Sequence, residues 1–122
     1  MQYAIICSEL VAGYFPWAVP VNQNNWEKAA LAESGILIQT DLTPAQGEGR
    51  FPGLDLVIRL RLEKSCPLPI TLVGWRRRFF EKGENIPELI TDPASRVLRD
   101  PLIRYVSLAT IPVKVQSPAN LS

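Results

Sequence analysis

The densest chemistry in this sequence is Trp75-Arg76-Arg77-Arg78-Phe79-Phe80, inside the run VGWRRRFFEKG at 73–83. Guanidinium groups present a rigid donor fork that matches carboxylate or phosphate. The flanking rings could anchor a protein interface or stack bases. A structural reading competes with both: the rings pack under a sheet edge, and the arginine stems cover apolar surface with their heads in water. Glu81 and Glu84 lie close enough in the chain to offset the charge. The net charge of +1 supplies no long-range field for nucleic acid. Trp75, Arg76, Arg77, Arg78 and Phe79 are therefore read as a surface for another protein, with a nucleic-acid surface as the alternative. Arg59, Arg61 and Lys64 would extend the patch if they faced the same way.

Other chemistry is sparse. The chain has no histidine, which removes the commonest general base, zinc ligand and pH switch together. Cys7 and Cys66 stand too far apart for a metal-ligand pair. Cys7 lies in an apolar run and reads as a small buried hydrophobe. Cys66 precedes Pro67 and reads as the more exposed thiol; whether the two pair is left open. GEGRFPG at 47–53 matches neither the P-loop nor the dinucleotide fingerprint. With no nucleophile–base pair and no metal cluster in view, the expectation is no enzyme activity, no cofactor and no metal. The start MQYAIICSEL carries no basic leader, and no apolar run reaches the length of a membrane span. A cytoplasmic protein without a membrane partner is expected.

The elements that would position these residues follow from apolar patterning. At 122 residues the chain fits one domain over 1–122, with 114–122 a frayed tail. Charge divides unevenly: residues 1–49 sum to −4 and residues 50–122 to +5. The continuous apolar runs at 3–7, 36–38, 68–75 and 105–111 read as strands buried on both faces. The segment VAGYFPWAVPVNQNN holds two prolines and three aromatics, and reads as an ordered loop covering the core. Asn24 or Asn25 can cap a helix over WEKAALAES that stops at Gly35. Asp92-Pro93 opens another helix. Residues 54–62, LDLVIRLRL, are ambiguous: alternation predicts a strand, whereas helical spacing also fits. With a helix there, helices alternate with strands, and the class is α/β with a mostly parallel sheet and covering helices. With a strand there, the alternative is an all-β or α+β protein with an antiparallel sheet.

The context of 36–75 favours the helix. ILIQTDL, then TP, then PGLDLVIRLR, then PLPITLVGW resembles the centre of a response-regulator receiver domain. VSLATIP is similar to that family's last strand, so the likeness covers about half of the chain. It implies a flavodoxin-like fold, and an aspartate, here Asp41, that accepts a phosphoryl group with the help of magnesium. It also implies output through altered partner binding. The chain departs from the pattern where the chemistry is done. The acidic pair for magnesium falls at Ser8 and Glu9, the hydroxyl residue at Gly74, and the lysine at Ile111. A phospho-aspartate needs cations to offset its charge. The resemblance therefore implies an inactive receiver, a regulatory domain in which Asp41 is at most a vestigial acceptor.

Overall fold

A computed structural model describes residues 1–40, 52–75, 100–111 and 114–121. Five strands form one sheet: β1 (Tyr3–Ile6), β2 (Val19–Pro20), β3 (Gly35–Gln39), β4 (Ile70–Gly74) and β5 (Ile103–Ser107). Their spatial order is β2-β1-β3-β4-β5, and every neighbouring pair is parallel. The architecture is α/β with a parallel sheet, and the antiparallel alternative is excluded for these strands.

The pattern of burial explains the strand sequences. All five positions of β3 and all five of β4 are buried, so both side-chain rows are apolar apart from Gln39 and Thr71, and no alternation survives. One row, Ala4, Ile36 and Ile70, then Ile6, Ile38 and Leu72, meets the helical side of the protein. The opposite row, with Ile5, Leu37 and Val73, meets a separate cluster. The edge strand β2 is two residues long and ends in Pro20, which suits an edge where no further ladder donor is needed.

Residues 54–62 are helical, within α2 (Pro52–Leu62). Leu56, Val57 and Leu60 are buried, the i, i+1, i+4 stripe of a helix, while Leu62 is exposed. The two-residue alternation is thus accidental, a product of Arg59 and Arg61 falling between Ile58, Leu60 and Leu62. Arg59 stacks its guanidinium over the Trp26 ring at 6.0 Å. Trp26 itself comes from a 3-10 segment, Gln23–Leu31, which breaks its helical geometry at Asn25. Its cap is Asn22, whose side chain accepts from the Asn24 N–H at 2.8 Å. The expected caps at Asn24 or Asn25 therefore fall inside the segment. Ala32 ends it, and Gly35 opens β3 rather than stopping a helix.

Among the described residues, the face of the sheet away from α2 is covered by mostly irregular chain. A single helical turn, α1 (Glu9–Ala12), follows β1. Phe15, from the proline-rich loop, is fully buried there, which bears out core cover as the role of its aromatics. Trp17 packs edge-on against Tyr3 at 5.1 Å and Phe15 at 5.9 Å. The chain after β5 makes a short 3-10 turn, Leu108–Thr110, so the last strand ends at Ser107 instead of running to 111. Within 114–122, expected to fray, Val115 is anchored. Val115 is buried, its N–H donates to the Tyr14 carbonyl at 2.7 Å, and its carbonyl accepts from Trp17 Nε1 at 2.9 Å.

Candidate functional site

Parallel strands all end on one side, and in an open α/β sheet ligands and partners gather at that carboxyl edge. The strand order reverses between β1 and β3, which opens a crevice at their ends. Cys7 and Ser8 follow β1, Thr40 follows β3, Trp75 follows β4, and Leu108 follows β5.

Most polar groups at this edge are used by the fold. Ser8 caps α1, its Oγ accepting from the Val11 N–H at 3.5 Å. The Ser8 N–H donates to Gln39 Oε1 at 2.9 Å, so Gln39, 5% exposed, bridges the crevice from the end of β3. Thr40 donates its N–H to the Val73 carbonyl at 2.9 Å and its hydroxyl to the same oxygen at 3.4 Å. Tyr105 donates its hydroxyl to the Gly74 carbonyl at 3.0 Å. Gly53, in the first turn of α2, lies against the backbone of Gln39 and Thr40. A Cβ there would run into the Gln39 carbonyl oxygen and sit 2.9 Å from Thr40 Cα. These contacts lock β1, β3, β4 and the start of α2 together at the edge.

Trp75 is different. It is 40% exposed at the carboxyl end of β4, beside a sheet whose own positions are sealed. Arg76, Arg77, Arg78 and Phe79 follow it in the chain, and Asp41 follows Thr40; all five lie outside the described residues, as does the helix expected after Asp92. The two segments leave from adjacent strand ends, tied by the Thr40–Val73 bonds. Arg59 and Arg61 do not extend a patch at this edge. Arg59 is engaged with Trp26. Arg61, with its side chain 8% exposed, pairs through Nε with Asp100 at 3.1 Å and donates to the Cys66 carbonyl at 2.6 Å. That clamp ties the end of α2 to the approaches of β4 and β5. Sequence reading missed it, because nothing local links Arg61 to a carboxylate 39 positions away.

Neither thiol is placed for chemistry. Both are free. Cys66, expected to be the exposed one, is 4% exposed, because its loop turns back under α2 and its N–H donates to the Leu60 carbonyl. Cys7 is half-buried, and burial pushes its thiol up from 9.0 to about 12, which leaves little thiolate near neutral pH. Among the described residues no group of three or more carboxylate or thiol side chains could hold a metal ion. No helix among them is long and apolar enough to cross a membrane. Comparison with family models, curated proteins and solved structures found no match.

Proposed function

We propose that this chain is a non-enzymatic interaction or regulatory domain of the cytoplasm, with a flavodoxin-like fold resembling a receiver that no longer transfers phosphate. The strand order β2-β1-β3-β4-β5 is the order of flavodoxin-like sheets, which supports the reading of the fold. At the carboxyl edge the positions that would carry the switch chemistry are occupied by other groups. Ser8 spends its oxygen on capping α1, Gly74 closes β4 without a side chain, and Ile111 closes the 3-10 turn after β5. Asp41 then lacks the second magnesium-holding carboxylate and the lysine that the receiver pattern supplies.

The observation that carries the proposal is the exposed Trp75 at the carboxyl end of β4, leading directly into three arginines and a phenylalanine. Tryptophan and arginine dominate the energetics of protein interfaces. Trp75, Arg76, Arg77, Arg78 and Phe79 form the recognition surface, and its partner is another protein.

Affinity capture from the native cell with three baits tests this: the wild type, Trp75→Ala, and the triple variant Arg76→Ala/Arg77→Ala/Arg78→Ala. A protein captured stoichiometrically by the wild type and lost by both variants is expected. Retention of single-stranded oligonucleotides that falls steeply with salt and vanishes in the triple variant would replace this reading with the nucleic-acid one. A mass increase on Asp41 after incubation with magnesium and a small phosphodonor would overturn the inactive-receiver part.

A further inference from the structure

At the amino edge of the sheet, away from both Trp75 and α2, lies a cavity of about 110 Å³ whose walls include Tyr3, Ser34, Gly35, Leu37, Thr71 and Arg104. It is independent of the partner surface proposed above. Thr71 and Arg104 are direct neighbours in the β4–β5 register, so their side chains leave the same face of the sheet. Thr71 is 4% exposed, yet its hydroxyl has no hydrogen bond to another described residue. Arg104 is exposed and pairs with no carboxylate among the described residues; the ion pair there is Arg61 with Asp100. A guanidinium and a sheltered hydroxyl thus line one small space with their hydrogen-bonding capacity unspent among the described residues.

The walls are held in place. A side chain at Gly35 would bring a Cβ to 3.0 Å from Tyr3 Cε1 and 3.3 Å from the Pro69 carbonyl oxygen, so glycine is what lets the Tyr3 ring lie against β3. Trp17 braces that ring from its edge. Ser34 Oγ donates to Gln2 Oε1 at 2.6 Å, fixing the rim. Leu37 supplies an apolar wall.

We propose that this cavity binds a short-chain monocarboxylate, its oxygens on Arg104 and Thr71 and its alkyl chain against Leu37. The guanidinium fork matches a carboxylate through two parallel N–H donors, and the Thr71 hydroxyl adds a third. One cation balances one negative charge, whereas a phosphate dianion would carry an uncompensated charge into a partly dry site. At ~30 Å³ per water the space holds about four waters, the size of a carboxylate with two to four carbons.

Titration of the isotopically labelled full chain with sodium butyrate, followed by amide NMR against sodium chloride at equal ionic strength, tests the proposal. Saturable shifts at Gly35, Thr71 and Arg104 are expected, absent with chloride. Arg104→Gln should weaken binding about tenfold or more, since it removes the charge-assisted pair. Thr71→Val, which keeps shape and removes the hydroxyl, should weaken it about threefold to tenfold. Both variants are checked for a dispersed spectrum; Arg104 is exposed, so its replacement leaves the core intact. Shifts that never saturate, an equal response to chloride, unchanged affinity in Arg104→Gln, or saturation by inorganic phosphate but not by butyrate would each overturn it.

Discussion

The two faces of the sheet are closed by different means. On one, α2 and the 3-10 segment lay apolar stripes over Ala4, Ile6, Ile36, Ile38, Ile70 and Leu72. Their backbone polar groups are satisfied largely within the elements themselves. On the other, one helical turn, the loop through Phe15 and Trp17, and the chain around Val115 cover Ile5, Leu37 and Val73. The irregular chain closes only scattered turns of its own, such as Phe15 N–H to the Ala12 carbonyl and Ala18 N–H to the Phe15 carbonyl, so its segments are joined by particular bonds: Val115 to Tyr14 and Trp17 to Val115. A regular element tolerates change along its length, whereas an irregular cover concentrates its stability in a few anchors. The same irregularity leaves room for the Thr71–Arg104 cavity, which lies on this face.

If that contrast holds, Phe15→Ala should be the most damaging single change, about 3–5 kcal/mol by urea denaturation, because Phe15 is the one aromatic ring among the described residues that is fully buried. Leu60→Ala on the helical face should cost about 2–5 kcal/mol, at the lower end where α2 can settle into the gap. A cost for Phe15→Ala well below that of Leu60→Ala would break the comparison. Gly53→Ala should cost about 1–3 kcal/mol, since a methyl there must push α2 away from the end of β3. Trp17→Phe, which keeps an aromatic ring but removes the donor to the Val115 carbonyl, should cost about 1–2 kcal/mol and raise hydrogen exchange in 114–121. Trp75→Ala should change stability by no more than about 0.5 kcal/mol, because the ring belongs to neither core cluster.

The thiol on the irregular face adds a pH dependence. Cys7 titrates near 9.0 when unfolded and at about 12 when folded. Above pH 9 the unfolded chain releases a proton that the native chain keeps, so folding loses stability as pH rises from 9.0 toward about 12 and is unaffected below. In thermal scans of wild type and Cys7→Ala at pH 8, 9.5 and 10.5, the offset at pH 8 reports lost packing alone, and the wild-type midpoint then falls faster than the variant's at the higher values.

Legibility in the sequence tracked how local the deciding interaction was. The runs at 3–7, 36–38 and 68–75 stood out because burial on both faces demands apolar residues, and the strands occupy 3–6, 35–39 and 70–74. Their parallel pairing was expected from the alternation of helices and strands once 54–62 is taken as a helix, with an antiparallel sheet as the alternative. The aromatics of the proline-rich loop could be assigned to the core for a similar reason, since Phe15 and Trp17 have few soluble alternatives. By contrast, α1 and β2 went unread: one is a single turn, the other two residues, and neither is long enough to show a period. Docking of the tail was hidden because its bonds join Val115 to Tyr14 and Trp17. At the candidate edge, Trp75 could be picked out by type, but the locking role of Gln39 could not. A glutamine at the end of an apolar run carries no mark of the N–H it will accept from Ser8.

What the chain order determined by itself was which segments can be buried on both sides and which catalytic groups are missing, because composition and run length are properties of each segment alone. The tertiary structure alone decided that Arg61 is clamped to Asp100 and that Thr71 and Arg104 share a cavity. Each of those outcomes rests on partners tens of residues away, whose approach is set by strand order and register rather than by anything adjacent in sequence.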